Sequence, residues 1–189
     1  MKDTIKARIE ESIEAKEKLH ESQAENIEAA ARAIIGSLRS GGKALIFGNG
    51  GSAADSQHIA AELVGRFKKE RPPFAAIALT TNTSLLTALA NDYGYDLTFS
   101  RQVEALGKEG DVAIGLSTSG SSKNVIAALN KAKSMGLKTI GLTGAAGKAM
   151  KEICDVTITV GSKDTPRIQE SHILIAHIIC ELVEGELCK

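Results

Sequence analysis

Residues 43–63 read KALIFGNGGSAADSQHIAAEL. Lys43-Ala44-Leu45-Ile46-Phe47 is a short apolar run of the kind that forms a buried strand. Gly48-Asn49-Gly50-Gly51-Ser52 follows as a glycine turn, and a helical stretch carrying His58 and Glu62 comes next. Strand, glycine turn and helix opening on a serine present backbone N–H groups to an anion. His58 and Glu62 are four apart, so a helix sets them on one face, deeper than the turn. A place for an anion therefore adjoins an acid/base or metal pair. The plain alternative for that pair is a solvated ion pair on a helix surface.

Outward from this unit the chain alternates. Further apolar runs stand at 75–79, 112–116, 138–142 and 156–160, with helical patterns between them, the clearest at 122–135. Five strands alternating with helices predict an α/β fold: a five-stranded parallel sheet with helices on both faces, a three-layer sandwich of the flavodoxin-like kind. In such sheets ligands bind beyond the carboxyl ends of the strands. Ahead of the first strand, residues 1–40 read as two helices, and 43–189 as the α/β core of the same single domain. Ile5, Ile9 and Ile13 make a thin stripe on a heavily charged first helix, which suits packing on a partner subunit. Ile27, Ala31, Ile34, Ile35 and Leu38 mark the second, ended by Ser40-Gly41-Gly42. The last helix, with Ile173, Leu174, Ile175, Ile178, Ile179 and Leu182, is apolar on nearly all sides. Something beyond its own sheet must cover it, and an oligomer core is the economical cover.

Composition excludes several classes. The 23 basic residues balance 23 acidic ones, so no positive field serves nucleic acid or an anionic membrane. Aromatics are 3% with no Trp, which leaves few stacking platforms for bases. The run Ile173 to Cys180, interrupted by His177, is too short to span a bilayer, and the charged N-terminus opens a helix rather than a signal peptide. Cys154, Cys180 and Cys188 show no paired spacing, which points to reduced thiols and a cytoplasmic protein.

A second motif follows the third strand: Ser117-Thr118-Ser119-Gly120-Ser121-Ser122, then helix from Lys123. Five hydroxyls and a glycine at a helix N-terminus can surround the oxygens of a phosphate monoester, aided by the helix dipole. The bland reading is a serine-rich turn that caps the helix. A dinucleotide fits less well, because Ala53 stands where G-x-G-x-x-G needs its third glycine.

Ser-Thr-Ser-Gly-x-Ser after a central strand resembles the sugar isomerase (SIS) family. Gly-Asn-Gly-Gly-Ser with His58 and Glu62, Ala90-Asn91-Asp92-Tyr93-Gly94, and Arg167-Ile168-Gln169-Glu170 with His172 and His177 resemble its phosphoheptose isomerase branch. Ala90 replaces a glycine of that pattern. The resemblance covers essentially the whole chain. It implies conversion of sedoheptulose 7-phosphate to D-glycero-D-manno-heptose 7-phosphate through an enediol, supplying nucleotide-activated heptose for lipopolysaccharide or another surface glycan. Glu62 would be the base, and His177 the acid or second base. Asn49, Gly50 and Gly51 would meet sugar hydroxyls, Asn91 and Asp92 the chain hydroxyls from a polar loop. Ser52, Ser117, Thr118, Ser119 and Ser122 would hold the phosphate, with Thr165 and Arg167 flanking the pocket. The resemblance also implies a homotetramer with sites near subunit interfaces, and one zinc per subunit on His58, Glu62, Gln169 and His177.

Chemistry tests these assignments. Glu62 needs an apolar lining to work as a base near neutrality, which Ile59, Ala61 and Leu63 would supply. A carboxylate on a dication is a weaker base, so ligand and base are competing tasks. Gln169 is a poor zinc ligand, which predicts a weak or exchangeable site. Gln169 and His177 are eight apart, about 12 Å of helical rise, so they share an ion only through long reach, or else serve neighbouring subunits' pockets. By spacing, His172 competes with His177. The other functional class is a non-catalytic SIS protein that senses a sugar phosphate or docks on a protein, of the replication-initiator-associating type. Such a protein has no need of Glu62, Gln169 and His177 together.

Overall fold

The computed structural model describes residues 1–188; Lys189, the last residue of the 1–189 span, lies outside them. Two helices open the chain, α1 (Lys2–Ser22) and α2 (Ala24–Arg39). Five strands follow: β1 (Ala44–Gly48), β2 (Ala76–Ala78), β3 (Val112–Ser117), β4 (Lys138–Gly144) and β5 (Val156–Val160). Between and after them run α3 (Gly51–Val64), α4 (Thr83–Tyr93), α5 (Thr98–Leu106), α6 (Lys123–Ser134), α7 (Lys148–Ile153) and α8 (Thr165–Leu187). All four strand pairings are parallel, in the order β2-β1-β3-β4-β5. Each expected strand is present, within two residues at either end.

Strand side chains alternate between two cores. Ala44, Ile46, Ile114, Leu116, Ile140 and Leu142 join the core under α1, α2, α3 and α8. Leu45, Phe47 and Ala113 join Phe99, Val103, Val125 and Leu129 on the opposite face. Because both faces are covered, the strands read as unbroken apolar runs rather than as alternation. The edge strand β2 is three residues long, as befits an unprotected edge.

The N-terminal helices attach unequally. On α2, Ile27, Ala30, Ala31, Ile34 and Ile35 are buried, and each large apolar side chain so placed contributes about 1.5–3 kcal/mol. On α1 only Ala15 and Leu19 are buried, while Ile5, Ile9 and Ile13 are half exposed or more. The C-terminal half of α1 thus packs on its own chain, and the apolar stripe projects outward. Helix α8 is also better covered than its sequence implies. Its contacts with α1, α2, α3 and the sheet bury Ile168, Ile175, Ile179 and Val183 within one chain, leaving Leu182 as its exposed large apolar residue.

The order reverses at β1 and β3: β2 lies to one side of β1, and β3, β4 and β5 to the other. Open α/β sheets leave a crevice at such a switch point, outside the carboxyl ends of the strands. Both motif loops emerge there, since Gly48 of β1 pairs in register with Leu116 of β3.

Candidate active site

At the switch point the glycine turn is built by Gly50, whose φ of 56° lies in the left-handed region. Ser52 and Ala53 donate their N–H groups back to Asn49 and Gly50, closing the turn into α3. The side chain of Asn49 makes a reciprocal amide pair with Asn124 of α6, each Nδ2 donating to the other's Oδ1 at 2.9 Å. The Tyr95 hydroxyl donates to the same Asn49 oxygen at 3.0 Å. Asn49 therefore joins three elements and has most of its polar capacity engaged.

The serine loop closes on itself. The Ser117 and Ser122 hydroxyls lie 2.8 Å apart, Gly120 N–H donates to Ser117 Oγ at 3.1 Å, and the Ser121 hydroxyl donates to Ser119 Oγ at 3.0 Å. Ser122 occupies the cap position of α6 but makes no capping bond with its side chain. The helix-cap reading therefore fails for its hydroxyl. A nest of hydroxyls sits ahead of a helix dipole, which is the arrangement an anion needs.

A different group lies farther along α3. Helices α3 and α8 run side by side in the same direction: Gly51 faces Gln169, His58 faces His177, and the turn after α3 reaches Glu184. His58 Nε2 lies 3.0 Å from Glu62 Oε1 and 3.3 Å from His177 Nε2. Residues 119 apart in sequence thus meet at one spot. One ligand atom from each of His58, Glu62 and His177 falls within 4.8 Å of the others. Two imidazoles and a carboxylate at this separation fit a borderline divalent ion such as zinc, with room for a further ligand.

The lining around Glu62 differs from expectation. Ile59 and Leu63 point into the core and Ala61 to solvent, because the i, i+4 stripe of α3 that touches the sheet is the one these two apolar residues occupy. Phe67, just past α3, supplies apolar cover instead, stacked on the His177 ring at 5.6 Å between centroids. Cys180 is close as well. Burial first, and the Glu62 charge second, push its thiol up to about 12, so it stays protonated and inert.

Other candidates lie elsewhere. The Gln169 amide packs on Gly51, where any Cβ would overlap it. That is about 10 Å of helical rise from His58, so Gln169 does not join the His58–Glu62–His177 group within one chain. Asn91 and Asp92 are exposed in the last turn of α4, not in a loop; Asn91 Nδ2 donates to Asp92 Oδ1 at 2.8 Å. Ser52 is buried in the first turn of α3. Arg167 turns away from the crevice to Glu170, Glu11 and the Arg8 carbonyl, tying α8 to α1. His172 is fully buried beside the Thr143 backbone, with neither ring nitrogen in a hydrogen bond, so it is no competitor for His177.

Three further residues lie near these groups: Tyr95, Phe67 and Asp55. Asp55 stands on α3 between Gly51 and His58; burial raises its carboxyl, against the nearby His58, and one of its oxygens is buried without a partner. An aspartate three before a histidine on a helix was the available clue.

Comparison with known proteins accords with this geometry. The family model for the SIS domain matches residues 9–144. A phosphoheptose isomerase of Clostridium acetobutylicum is 54% identical over 189 residues, 99% of this chain and 96% of that one. The structure of a phosphoheptose isomerase from Neisseria gonorrhoeae superposes with a TM-score of 0.92 at 44% identity, covering 97% of this chain and 98% of that one. One from Francisella tularensis gives 0.93 at 38%, covering 97% of both.

Proposed function

The chain belongs to the SIS domain family and to its phosphoheptose isomerases, and on that premise we propose that it converts sedoheptulose 7-phosphate to D-glycero-D-manno-heptose 7-phosphate. At the coarser level it is a sugar-phosphate isomerase. The observation that carries the finer reading is the meeting of Glu62 and His177 around His58, in a protein whose serine loop is shaped for a phosphate.

In this reading Ser117, Thr118, Ser119 and Ser122 hold the phosphate, with Ser52 and the amides of Gly50 and Gly51 beside them. Glu62 takes a proton from C1 of the ketose and returns it at C2. His177 moves the balancing proton between the two oxygens, so an enediol forms and collapses with no net gain or loss of protons. Asn91, Asp92 and Gln169 bond the chain hydroxyls. His58, Glu62 and His177 would hold zinc, which when bound supplies polarisation of the carbonyl oxygen. Glu62 then divides its time between ligand and base.

Gly51 and Glu62 are eleven residues apart, about 16 Å along α3. Eight bonds of about 1.5 Å join C1 of a heptulose to its phosphorus, roughly 10 Å when extended. Within one chain even the fully extended sugar is about 6 Å shorter than this separation, a shortfall the Glu62 side chain would have to bridge. A second copy supplying one end removes that demand, and the outward stripe of Ile5, Ile9 and Ile13 is the surface for such a copy, in a cytoplasmic homotetramer. No helix of the described residues is long and apolar enough to cross a membrane.

The decisive experiment incubates purified protein with sedoheptulose 7-phosphate in D₂O and follows C1 and C2 by NMR. Deuterium exchange and appearance of the aldose are expected. Absence of both, with and without added zinc, overturns the assignment.

A further inference from the structure

Between α3 and β2 the chain crosses residues 65–75, and this crossing is pinned by one buried ion pair. The Glu184 carboxylate, on α8, accepts the N–H groups of Phe67, Lys68 and Lys69 at 3.0, 2.7 and 2.7 Å, and Arg71 Nε at 3.0 Å. Both side chains are 2% exposed. The rest of the Arg71 guanidinium donates to the carbonyls of Glu62 at 2.8 Å, Leu63 at 2.9 Å and Gly65 at 3.2 Å, satisfying the end of α3, and lies 3.9 Å from the Phe74 ring centre.

A buried ion pair loses in desolvation much of what it gains in attraction, and apolar side chains of equal volume often stabilise as well. What an apolar plug cannot supply is direction. Four donors converging on one carboxylate and four carbonyls, that of Pro72 at 3.1 Å included, converging on one guanidinium fix the relative placement of three segments. Those segments carry Glu62, at the end of α3; Phe67, in the crossing; and His177, two turns before Glu184 on α8. Within the crossing, Phe67 is the side chain that stacks on the acid/base group, lying on His177 at an interplanar angle of 30°.

We propose that Phe67, oriented by the Glu184–Arg71 pair, is a positioning residue that holds the His177 imidazole against His58 and Glu62. The proposal rests on the isomerase reading. Phe67 contacts no substrate in it; it restricts the rotation of a ring that must meet the sugar oxygens at a fixed angle.

The test replaces Phe67 by Leu, with Phe67→Tyr as the conservative variant and Arg71→Lys as a second route that keeps the charge and loses the fork. Loss of ring orientation should lower kcat about 10- to 100-fold with KM within about twofold, and Phe67→Tyr should restore kcat. In parallel, the His177 ring protons should be sharp and displaced by the phenyl ring current in the unaltered protein, then broadened and moved back in Phe67→Leu. Should Phe67→Leu not fold, Arg71→Lys gives the same two readouts. Unchanged kcat, a change in KM alone, or His177 signals indifferent to the substitution overturns the proposal. If the unaltered protein shows no turnover, the isomerase reading falls by itself, and the His177 signals still decide whether Phe67 orients the ring.

Discussion

The two ends of α3 are built from opposite materials. At its N-terminus the crevice is lined by hydroxyls, amides and glycine backbone, and the charged groups nearby, Lys123 and Asp96, are exposed and 3.9 Å apart. At its C-terminal half stand His58, Glu62 and His177, with a buried ion pair behind them. In the proposed reading the first end recognises a fixed charge with neutral dipoles, which need no titration and no counter-ion. In the same reading the second exchanges protons, and it is made of two imidazoles and a carboxylate. The difference teaches that one helix can separate holding from chemistry, and that each end should fail in its own way.

The largest effect is expected at the chemical end. Glu62→Gln removes the base and keeps the shape, so kcat should fall about 100- to 10,000-fold while inorganic phosphate still binds with unchanged affinity. Mixing this variant with Ser119→Ala sharpens the comparison further. If two copies share a site, the mixture regains part of the activity that neither protein shows at limiting substrate. If each chain works alone, it gains nothing.

Next in size is a pH effect seated between the ends. Burial, opposed by the neighbouring Thr143 backbone, pushes the His172 imidazole down to about 4. The folded chain takes up this proton only near pH 4 and the unfolded chain near 6.5, so the unfolded state binds more protons between those values. Stability should therefore drop by about 2 kcal/mol from pH 7 to pH 5 in urea unfolding, and His172→Phe should flatten that part of the profile. An unchanged slope would show that another group carries it. The smallest effect belongs to the holding end. Ser122→Ala removes one hydroxyl from the nest and should raise KM about tenfold with kcat little altered, as one hydrogen bond to an anion contributes about 1.5 kcal/mol. A fall in kcat instead would blur the division of labour.

Much of this was legible in the residues. Strands covered on both faces leave continuous apolar runs, which is why five of five were readable. The two loops at the strand ends were readable because glycine and serine clusters between a strand and a helix mark a turn at a helix N-terminus. His58 and Glu62 announced themselves by a spacing of four, but His177 is 119 residues from His58, and only the family resemblance joined them. Asn91 and Asp92 read as a loop because the exposed end of a short helix has the composition of a turn. Ile59 and Leu63 were assigned to the site when their period put them in the core. Phe67 was invisible, since it lies in the charged run Arg66-Phe67-Lys68-Lys69 and is recruited by Glu184, a residue two-thirds of the chain away.

The paired amides of Asn49 and Asn124 carry one more consequence. They form a latch across the reversal of strand order, tying the entrance of α3 to the entrance of α6. In the proposed reading, a sugar phosphate held at the serines would therefore meet a glycine turn already braced against α6.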